Sequence, residues 1–341
     1  MHKYIDLMNL EERIHAFSQL GDFLKQTSDL EFAQKLKEAE IKNHWFTLVN
    51  QKKALKTWTN HLTIETLKAW LTPYDLKEQN TPKNVLVIMA GNIPLVGFND
   101  FISVLITGNN AIVKMSSDDN VLLAFIAKKL ITICPEFEER VQFIEEIKDK
   151  KLDAVIATGS NMSAKYFDYY FKNTKKIIRK NRNSVSILDG TESKAELELL
   201  AKDVFTYFGL GCRNVSKVFL PKNYDLDQLF EAFYSFRDII EHKKYANNYD
   251  YHKAIFLMGD YQITDNGFFL LKEDESLQSP LAMLYYEYYS NKEEVENFIA
   301  ENKQKLQCVV SKNHIAFGET QNPNLWDYAD GKDTIEFLTI D

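Results

Sequence analysis

The residue type best suited to covalent chemistry is the cysteine at position 212, in the segment Gly209–Asn214. The glycines that precede Cys212 leave backbone room for a substrate, and Arg213 together with a nearby helix start would favour the thiolate. A thiolate attacks a thioester or an acyl phosphate and forms an acyl-enzyme whose carbonyl remains electrophilic. A buried, inert thiol is the alternative, and we prefer that interpretation for Cys134 and Cys308. A Gly-x-Gly-Cys segment is a poor way to build a core, so the sequence predicts that Cys212 is a nucleophile.

Three earlier segments place polar side chains and glycines beside predicted strands. Met89–Leu95 sets Asn92 at the end of an apolar run, where its amide can point into a cleft. Thr107–Ser117 passes through a turn and a strand to Lys114, and Ala157–Ser160 leads from a strand into a helix start. Backbone N–H groups at a helix start attract anions. By residue type alone, Asn92 would only cap a turn and Lys114 would only solvate a strand end.

The elements that must position these segments can be predicted from the apolar pattern. Residues 1 to about 75 show the three-to-four spacing of helices. From Lys83 onward, short apolar runs alternate with helical stretches, which predicts a mostly parallel sheet with ligands at the carboxyl ends of its strands. The predicted strands are Val85–Ala90, Ala111–Val113, Ala154–Ala157, Val185–Leu188, Lys217–Leu220, Ala254–Met258, Gln307–Ser311 and Thr334–Ile340. The predicted helices between them are Val121–Ile133, Met162–Phe171 and Ala195–Phe208.

Taken in order, the four segments resemble the aldehyde dehydrogenase superfamily, with its asparagine–proline loop, its G-N-x-x-x-x-K strand, its T-G-S turn and its glycine-flanked cysteine. Each motif alone is weak, but four in the same order are hard to produce by chance. The segments, together with the closing Trp326–Asp333, most resemble the acyl reductase branch, which includes the fatty-acid reductase subunit of bacterial luminescence. The resemblance implies an α/β, aldehyde dehydrogenase-like fold, with two Rossmann-like lobes and an N-terminal helical segment.

The resemblance also assigns roles to single residues. Asn92 is expected to act with the Cys212 backbone N–H as the oxyanion donor pair. The resemblance assigns the cofactor side of the site to Lys114, Ser116, Ser117, Gly159 and Ser160, with the first two at the adenosine ribose and the last two at the pyrophosphate of a nicotinamide cofactor. Ser117 stands where many NAD-preferring relatives have a glutamate. A serine does not repel a 2′-phosphate, so we expect NADPH, with NADH as the alternative because Asp118 follows directly.

One departure from the family pattern is an absence. Hydrolytic aldehyde dehydrogenases have an E-L-G-G segment whose glutamate activates water, whereas the matching region here, Ile178–Val185, contains no glutamate. The loss of that base suits a reductase, because hydrolysis of the acyl-cysteine would waste the activated substrate.

The sequence therefore predicts reduction of an acyl-CoA or acyl carrier thioester, most simply a fatty one, to an aldehyde through an acyl-Cys212 intermediate. An acyl-phosphate reductase of the glutamyl phosphate type and a non-catalytic nucleotide-binding or partner-binding relative are the alternatives. Aromatic clusters at Tyr166–Phe171 and Leu284–Tyr289 could line an alkyl tunnel or simply belong to the core. His242 and His252 are candidate proton donors to the leaving thiol, although satisfied surface or core roles are more typical of histidine. The resemblance further implies an acyl-transferring partner protein.

Composition sets the remaining expectations. A chain of 341 residues should divide into domains, which we place at 1–80 (helical segment), 81–205 (cofactor domain), 206–325 (catalytic cysteine domain) and 326–341 (terminal strand and tail). The net charge of −8 argues against a nucleic-acid surface. We expect no membrane span, no metal site, no disulfide framework for the three cysteines, and a cytoplasmic location. The predicted terminal strand favours a homodimer.

Overall fold

The computed structural model describes residues 8–76, 81–147 and 151–340. The chain divides into two compact units, a first unit of residues 1–180 with 324–341 and a second unit of residues 181–323. The division falls at Lys180 and not at the predicted 205/206 boundary, because the strand that starts at Asn183 pairs with the second sheet. No helix of the described ranges combines the length and the apolar character needed to cross a membrane.

Four N-terminal helices open the first unit, as the periodicity predicts. Each begins at a side-chain cap, provided in turn by Asn9, Asp29, Thr47 and Thr63. The helices are α1 (Leu10–Leu24), α2 (Leu30–Lys42), α3 (Leu48–His61) and α4 (Ile64–Leu71). Their apolar faces share one core with the sheet that follows, so the helical segment belongs to that unit.

The first unit is built around a five-stranded parallel sheet in the order β3-β2-β1-β4-β5. Its strands are β1 (Asn84–Ile88), β2 (Asn110–Lys114), β3 (Val141–Phe143), β4 (Ala154–Thr158) and β5 (Lys175–Arg179). Its helices are α5 (Phe98–Ile106), α6 (Leu122–Ile133), α7 (Asn161–Tyr170) and a 3-10 turn at Pro135–Arg140. The order reverses between β1 and β4, which is where such sheets bind ligands beyond their carboxyl ends.

The second unit holds a six-stranded sheet in the order β11-β6-β7-β10-β9-β8, parallel except for the last pair. Its strands are β6 (Asn183–Ile187), β7 (Val215–Pro221), β8 (Thr264–Asp265), β9 (Leu270–Glu273), β10 (Met283–Tyr289) and β11 (Leu306–Val310). Its helices are α8 (Lys194–Phe205), α9 (Asp227–Phe233), α10 (Lys243–Met258) and α11 (Lys292–Asn302), with 3-10 turns at Thr206–Gly209 and Tyr234–Glu241.

Two predicted strands are wrong. Ala254–Met258 forms the last turns of α10, where Leu257 and Met258 are exposed, so the apolar run does not mark a buried strand. Thr334–Ile340 forms α12 (Thr334–Thr339), which Asp333 caps by accepting the Glu336 N–H at 2.9 Å. A helix offers no strand edge for pairing, so the basis for the expected homodimer is removed.

The C-terminal segment joins the first unit through a buried arginine. The Arg179 guanidinium donates to the Asp100 carboxylate at 2.6 Å, to the Thr334 hydroxyl at 2.9 Å and to the Ala329 carbonyl. Nearby, the Tyr328 hydroxyl accepts the indole N–H of Trp70 at 2.7 Å. The segment Trp326–Asp333, which had no physical explanation from sequence, therefore anchors the chain end to the first unit.

Candidate active site

Cys212 lies on a short loop between the 3-10 turn Thr206–Gly209 and the first residue of β7. Its side chain is exposed, and all three cysteines of the chain are unoxidised thiols. The loop sits at the amino edge of the parallel strands of the second unit. An exposed thiol at a strand start can meet a substrate without any rearrangement of the core.

The backbone that leads to Cys212 is unusual. Tyr207, Phe208 and Gly209 are consecutive residues with positive φ, at 54°, 60° and 78°. Left-handed backbone costs about 1–3 kcal/mol at each non-glycine position and persists only where the surroundings fix it. At Gly209 a Cβ atom would also lie 3.3 Å from the Val204 carbonyl oxygen, so this glycine meets a conformational need.

The side chain that fixes this loop is Asn214, two residues after the cysteine. Its Nδ2 lies 3.0, 3.2 and 2.8 Å from the carbonyl oxygens of Asp203, Val204 and Thr206. Its Oδ1 accepts the Gly211 N–H at 2.8 Å. Because Asn214 is buried, these hydrogen bonds are shielded from water. One amide thus holds both the left-handed turn and the residue next to Cys212.

A second anchor reaches Cys212 itself from β6. The buried Ser184 hydroxyl donates to the Cys212 carbonyl at 2.9 Å and accepts the Cys308 N–H at 3.1 Å. Ser184 therefore ties the cysteine loop to the two neighbouring strands β6 and β11.

The carboxylate of Asp203, at the end of α8, ties that helix end to the segment 318–320, and its hydrogen bonds within the described residues go to that segment and not to the Cys212 loop. It accepts the Gly318 N–H at 2.7 Å and both the N–H and the hydroxyl of Thr320, at 3.1 and 2.8 Å. Burial raises the pKa of Asp203 above its ordinary value, while these hydrogen bonds oppose the shift.

The other cysteines have surroundings that suppress reactivity. Burial raises the pKa of the Cys308 thiol, and burial together with Glu136 raises the pKa of Cys134 to about 12. The Nη1 of Arg213 lies 3.4 Å from the Cys308 sulfur, although we had expected this guanidinium to favour the Cys212 thiolate.

Asn92 is exposed on the loop that follows β1 in the first unit. This loop packs closely on the loop after β2, since a Cβ at Gly91 would lie 2.5 Å from the Ser116 Oγ. The structure therefore brings the first two predicted segments together. Cys212 belongs to the other compact unit, and its pairing with Asn92 remains a prediction.

The Asn92 loop is held by the carboxyl group of Asp119. Leu95, whose φ is 58°, donates its N–H to the Asp119 Oδ2 at 3.0 Å. The Asp119 Oδ1 is buried and has no hydrogen-bond partner among the residues that the structure describes. Burial raises the pKa of Asp119 to about 7, so this carboxyl takes up a proton near neutral pH.

Lys114 ends β2 at the carboxyl edge of the first sheet, paired with Ile88 of the central strand. It lines a pocket of about 330 Å³. The other lining residues are two carboxylates, one isoleucine and four aromatic rings of α7 and its C-terminal end, namely Glu145, Glu146, Ile147, Tyr166, Phe167, Tyr170 and Phe171. Aromatic faces beside an ammonium and carboxylates suit a flat purine with its ribose hydroxyls. The residues present therefore fit an adenosine group.

The glycine–serine turn before α7 is only partly available to an anion. The Gly159 N–H donates to the Arg179 carbonyl at 3.2 Å, and a Cβ at Gly159 would meet Ser163 at 2.9 Å. The Ser160 hydroxyl accepts the Ser163 N–H at 3.2 Å as the helix cap. By helix geometry, the first-turn amides of Asn161 and Met162 are the ones left to point at a pyrophosphate.

The two predicted aromatic clusters have different roles. Tyr166–Phe171 faces the pocket of Lys114 in the first unit. Leu284–Tyr289 lies in β10, and its Tyr289 hydroxyl donates to the Leu188 carbonyl at 2.8 Å as part of the core. Leu284, at the start of that cluster, lines a pocket in the second unit.

Sequence reasoning missed Asn214, Ser184 and Asp119 as positioning residues. Asn214 could have been suspected, because an asparagine that follows a glycine-rich turn often caps it with its side chain. The sequence gives no sign that Asp119 differs from its neighbour Asp118. Asp119 is buried and Asp118 is exposed, and tertiary packing alone makes this difference.

Three comparisons place this geometry among known proteins. The family model described as "Acyl-CoA reductase (LuxC)" matches residues 23–321. No curated protein matches the sequence. The solved aldehyde dehydrogenase of Mycobacterium tuberculosis with NAD+ superimposes with a TM-score of 0.62 at 15% identity, over 84% of this chain and 70% of that one.

Two other solved structures give the same result. The NAD+ complex of the Bacillus cereus aldehyde dehydrogenase gives a TM-score of 0.64 at 14% identity, over 89% of this chain and 72% of that one. Aldehyde dehydrogenase 21 of Physcomitrella patens, solved with succinate, gives a TM-score of 0.61 at 14% identity, over 89% of this chain and 74% of that one. At such identities these likenesses establish the fold, and they confirm the predicted aldehyde dehydrogenase-like α/β architecture.

Proposed function

Because the chain belongs to the acyl-CoA reductase (LuxC) family, whose activity is the reduction of an activated acyl group to an aldehyde, we propose that Cys212 is the nucleophile of that reaction. The observation that carries this proposal is the exposed thiol of Cys212 on a loop that Asn214 and Ser184 hold rigid. A fixed nucleophile loses little orientational freedom when the substrate binds, which lowers the barrier.

The covalent steps follow from the thiolate. The Cys212 sulfur attacks the carbonyl carbon of the thioester, the carrier thiol leaves, and an acyl-cysteine remains. A nicotinamide cofactor supplies the hydride when it is bound. Hydride addition to the acyl-cysteine would give the anion of a thiohemiacetal, and collapse of this oxyanion would break the C–S bond, release the aldehyde and regenerate the Cys212 thiolate.

The oxyanion of each tetrahedral species needs hydrogen-bond donors. We propose the Asn92 side-chain amide and the Cys212 backbone N–H for this role. Each such donor typically contributes about 10²–10³ in rate. The exposure of Asn92 at the carboxyl end of the central strand, on a loop held by Asp119, supports the assignment.

A nicotinamide cofactor is proposed for the first unit, with Lys114 and Ser116 at the ribose and the start of α7, at Gly159 and Ser160, at the pyrophosphate. Solved neighbours hold NAD+. We retain NADPH as the proposed reductant, because the exposed Ser117 carries no negative charge. Glu145 and Glu146 in the Lys114 pocket favour a free 2′-hydroxyl and make NADH the alternative. The ratio of kcat/KM values for the two cofactors decides between them.

Water must be kept from the acyl-cysteine for reduction to succeed. In the region Ile178–Val185 no carboxylate is present, and its one buried cation, Arg179, is committed to Asp100. We therefore propose that hydrolysis of the acyl-enzyme is slow in the absence of reductant.

The acyl donor is proposed to be acyl-CoA or an acyl carrier, loaded in the cell by an acyl-transferring partner protein in the cytoplasm, where the three thiols stay reduced. Full activity of the purified chain on acyl-CoA, with no acyl-transferring protein recovered in a pull-down, would remove the need for the partner.

The test of the proposal is intact-mass analysis after incubation with butyryl-CoA. A butyryl adduct should form on the wild-type chain, disappear when NADPH or NADH is added, and be absent in Cys212→Ala. Cys134→Ala is the matched control, because its thiol is also partly accessible but has a raised pKa, and it should retain the adduct. An adduct that survives in Cys212→Ala would place the nucleophile elsewhere.

A further inference from the structure

A second pocket lies entirely within the second unit, beside the loop of Cys212. It measures about 260 Å³. Residues of the Cys212 loop, Phe208, Gly209 and Leu210, form one wall, and the segment Gln278–Leu284 forms another. Within this segment, Leu284 belongs to the predicted aromatic cluster Leu284–Tyr289, and the other residues belong to no predicted motif.

The strand register explains why these two segments meet. β7 and β10 are parallel neighbours, with Lys217 opposite Tyr285. The residues just before each strand therefore lie at the same edge of the sheet, and Cys212 is among those that precede β7. The pocket is thus adjacent in the fold to the loop of the proposed nucleophile.

Most of the lining side chains are apolar, and the polar ones are Ser216, Tyr245, Gln278 and Ser279. Phe205, Phe269 and Leu284 come from the main core of the unit. The two serines in the wall direct their hydroxyls into the backbone, Ser216 to the Leu277 carbonyl at 2.8 Å and Ser279 to the Met283 carbonyl at 2.7 Å. The Tyr245 hydroxyl is buried and has no hydrogen-bond partner among the described residues, so the pocket offers a ligand apolar side chains together with this one hydroxyl.

The walls of the pocket are also fixed in place. The Nδ1 of His252 lies 3.0 Å from the Leu281 carbonyl and joins the segment to α10. Ala282 has a φ of 62°, so the turn that closes the segment is constrained. A preformed apolar pocket binds an alkyl chain without first having to order itself.

We infer that this pocket receives the alkyl end of the acyl group on Cys212 and limits the favoured chain to medium length. The inference rests on the proposed function. A methylene takes up about as much space as a water molecule, ~30 Å³, so 260 Å³ holds about eight of them. Each buried methylene should raise kcat/KM about fourfold, until the pocket is full.

Leu281 is the residue that tests the inference. It is half-buried, lines the pocket through its side chain, and makes its hydrogen bond to His252 through its backbone carbonyl. Leu281→Trp should therefore fill the pocket without loss of the fold, and Leu281→Ala should enlarge it. Leu199→Ala is the matched control, because Leu199 is a half-buried leucine packed on the same core but outside the pocket.

The experiment measures kcat/KM for aldehyde formation with saturated acyl-CoAs from butyryl to palmitoyl. The wild type should gain about fourfold per methylene and level off at medium length. Leu281→Trp should lower the ratio of long-chain to butyryl kcat/KM tenfold or more, whereas Leu281→Ala should move the plateau to longer chains and Leu199→Ala should leave the plateau unchanged.

Equal effects of Leu281→Trp on butyryl and on longer chains, or no effect on either, would overturn the inference while leaving the proposed function intact. Absence of both adduct and aldehyde with every acyl-CoA from butyryl to palmitoyl in the wild type would instead reject the proposed function. Retained butyryl activity also shows that each variant is folded.

Discussion

The loops of Cys212 and Asn92 are both bent through positive φ backbone, but different chemical groups hold them. The amide of Asn214, which cannot titrate, and the hydroxyl of Ser184 fix the Cys212 loop. A buried carboxyl, that of Asp119, fixes the Asn92 loop. The nucleophile loop should therefore keep its shape across the physiological pH range, while the loop of the oxyanion donor should respond to pH. Four substitutions test this difference.

The largest effect is expected for Asn92→Ala. Loss of the proposed oxyanion donor should lower kcat by about 10²–10³, while the exposed position should keep the change in the free energy of unfolding within about 1 kcal/mol. Steady-state kinetics and urea denaturation measure the two quantities. Asn322→Ala, at another exposed loop asparagine, should alter neither. A kcat close to that of the wild type would show that Asn92 only shapes its turn.

Asn214→Ala should destabilise the second unit by about 3 kcal/mol, because it leaves several buried carbonyl groups without a donor. The time course of Cys212 alkylation by iodoacetamide should also depart from a single exponential, because a loosened loop holds the thiol in several conformations. The control is Asn248→Ala, which removes a single exposed bond to the Lys244 carbonyl. Similar unfolding energies for both variants would contradict the role of Asn214 as the anchor.

Asp119 should make the free energy of unfolding depend on pH. Its folded pKa, about 7, is higher than its ordinary value of 3.8, so its stabilising contribution is full below about pH 4 and is lost as the pH rises to 7. The wild type should lose ~2 kcal/mol of unfolding free energy between pH 5 and pH 8 that Asp119→Asn does not lose. Chemical denaturation at both pH values measures the difference, and parallel curves for the two proteins would contradict it.

The smallest effect is expected for Ser184→Ala, which should cost about 1–2 kcal/mol of stability and slow acylation of Cys212 severalfold. Ser186→Ala is a close control, since this buried serine on the same strand donates to the Val310 carbonyl at 3.2 Å. It should lose similar stability with no change in acylation rate. Equal acylation rates for the two variants would show that Asn214, and not Ser184, holds the Cys212 loop.

Much of the architecture could be predicted because local pattern and tertiary structure agree. The buried strands β1, β2, β4, β6 and β7 are short apolar runs between turn residues, and each occurs where it was predicted. The strand prediction for Ala254–Met258 was wrong because an exposed apolar stretch on α10 has the same composition as a buried strand. Thr334–Ile340 misled because its cap, Asp333, lies outside the apolar run that suggested a strand.

The candidate site also contains residues that could be predicted from the sequence and residues that could not. Cys212, Asn92 and Lys114 stand in recognisable short motifs, so their positions could be predicted from the chain alone. Their supports could not, because Ser184 reaches Cys212 from 28 residues away and Asp119 reaches Leu95 from 24. Which of two adjacent aspartates is buried, or which serine faces a loop, depends on packing between elements that are distant in sequence.

The first unit is discontinuous, since residues 324–341 return to it after the whole of the second unit. During synthesis the second unit, residues 181–323, has all its strands outside the ribosome before α12 and the partners of Arg179 emerge. Until then Arg179 and Asp100 lack the Thr334 hydroxyl and the Ala329 carbonyl. The order of translation therefore allows the unit with the thiol to mature first and makes the unit with the proposed cofactor pocket the last to close.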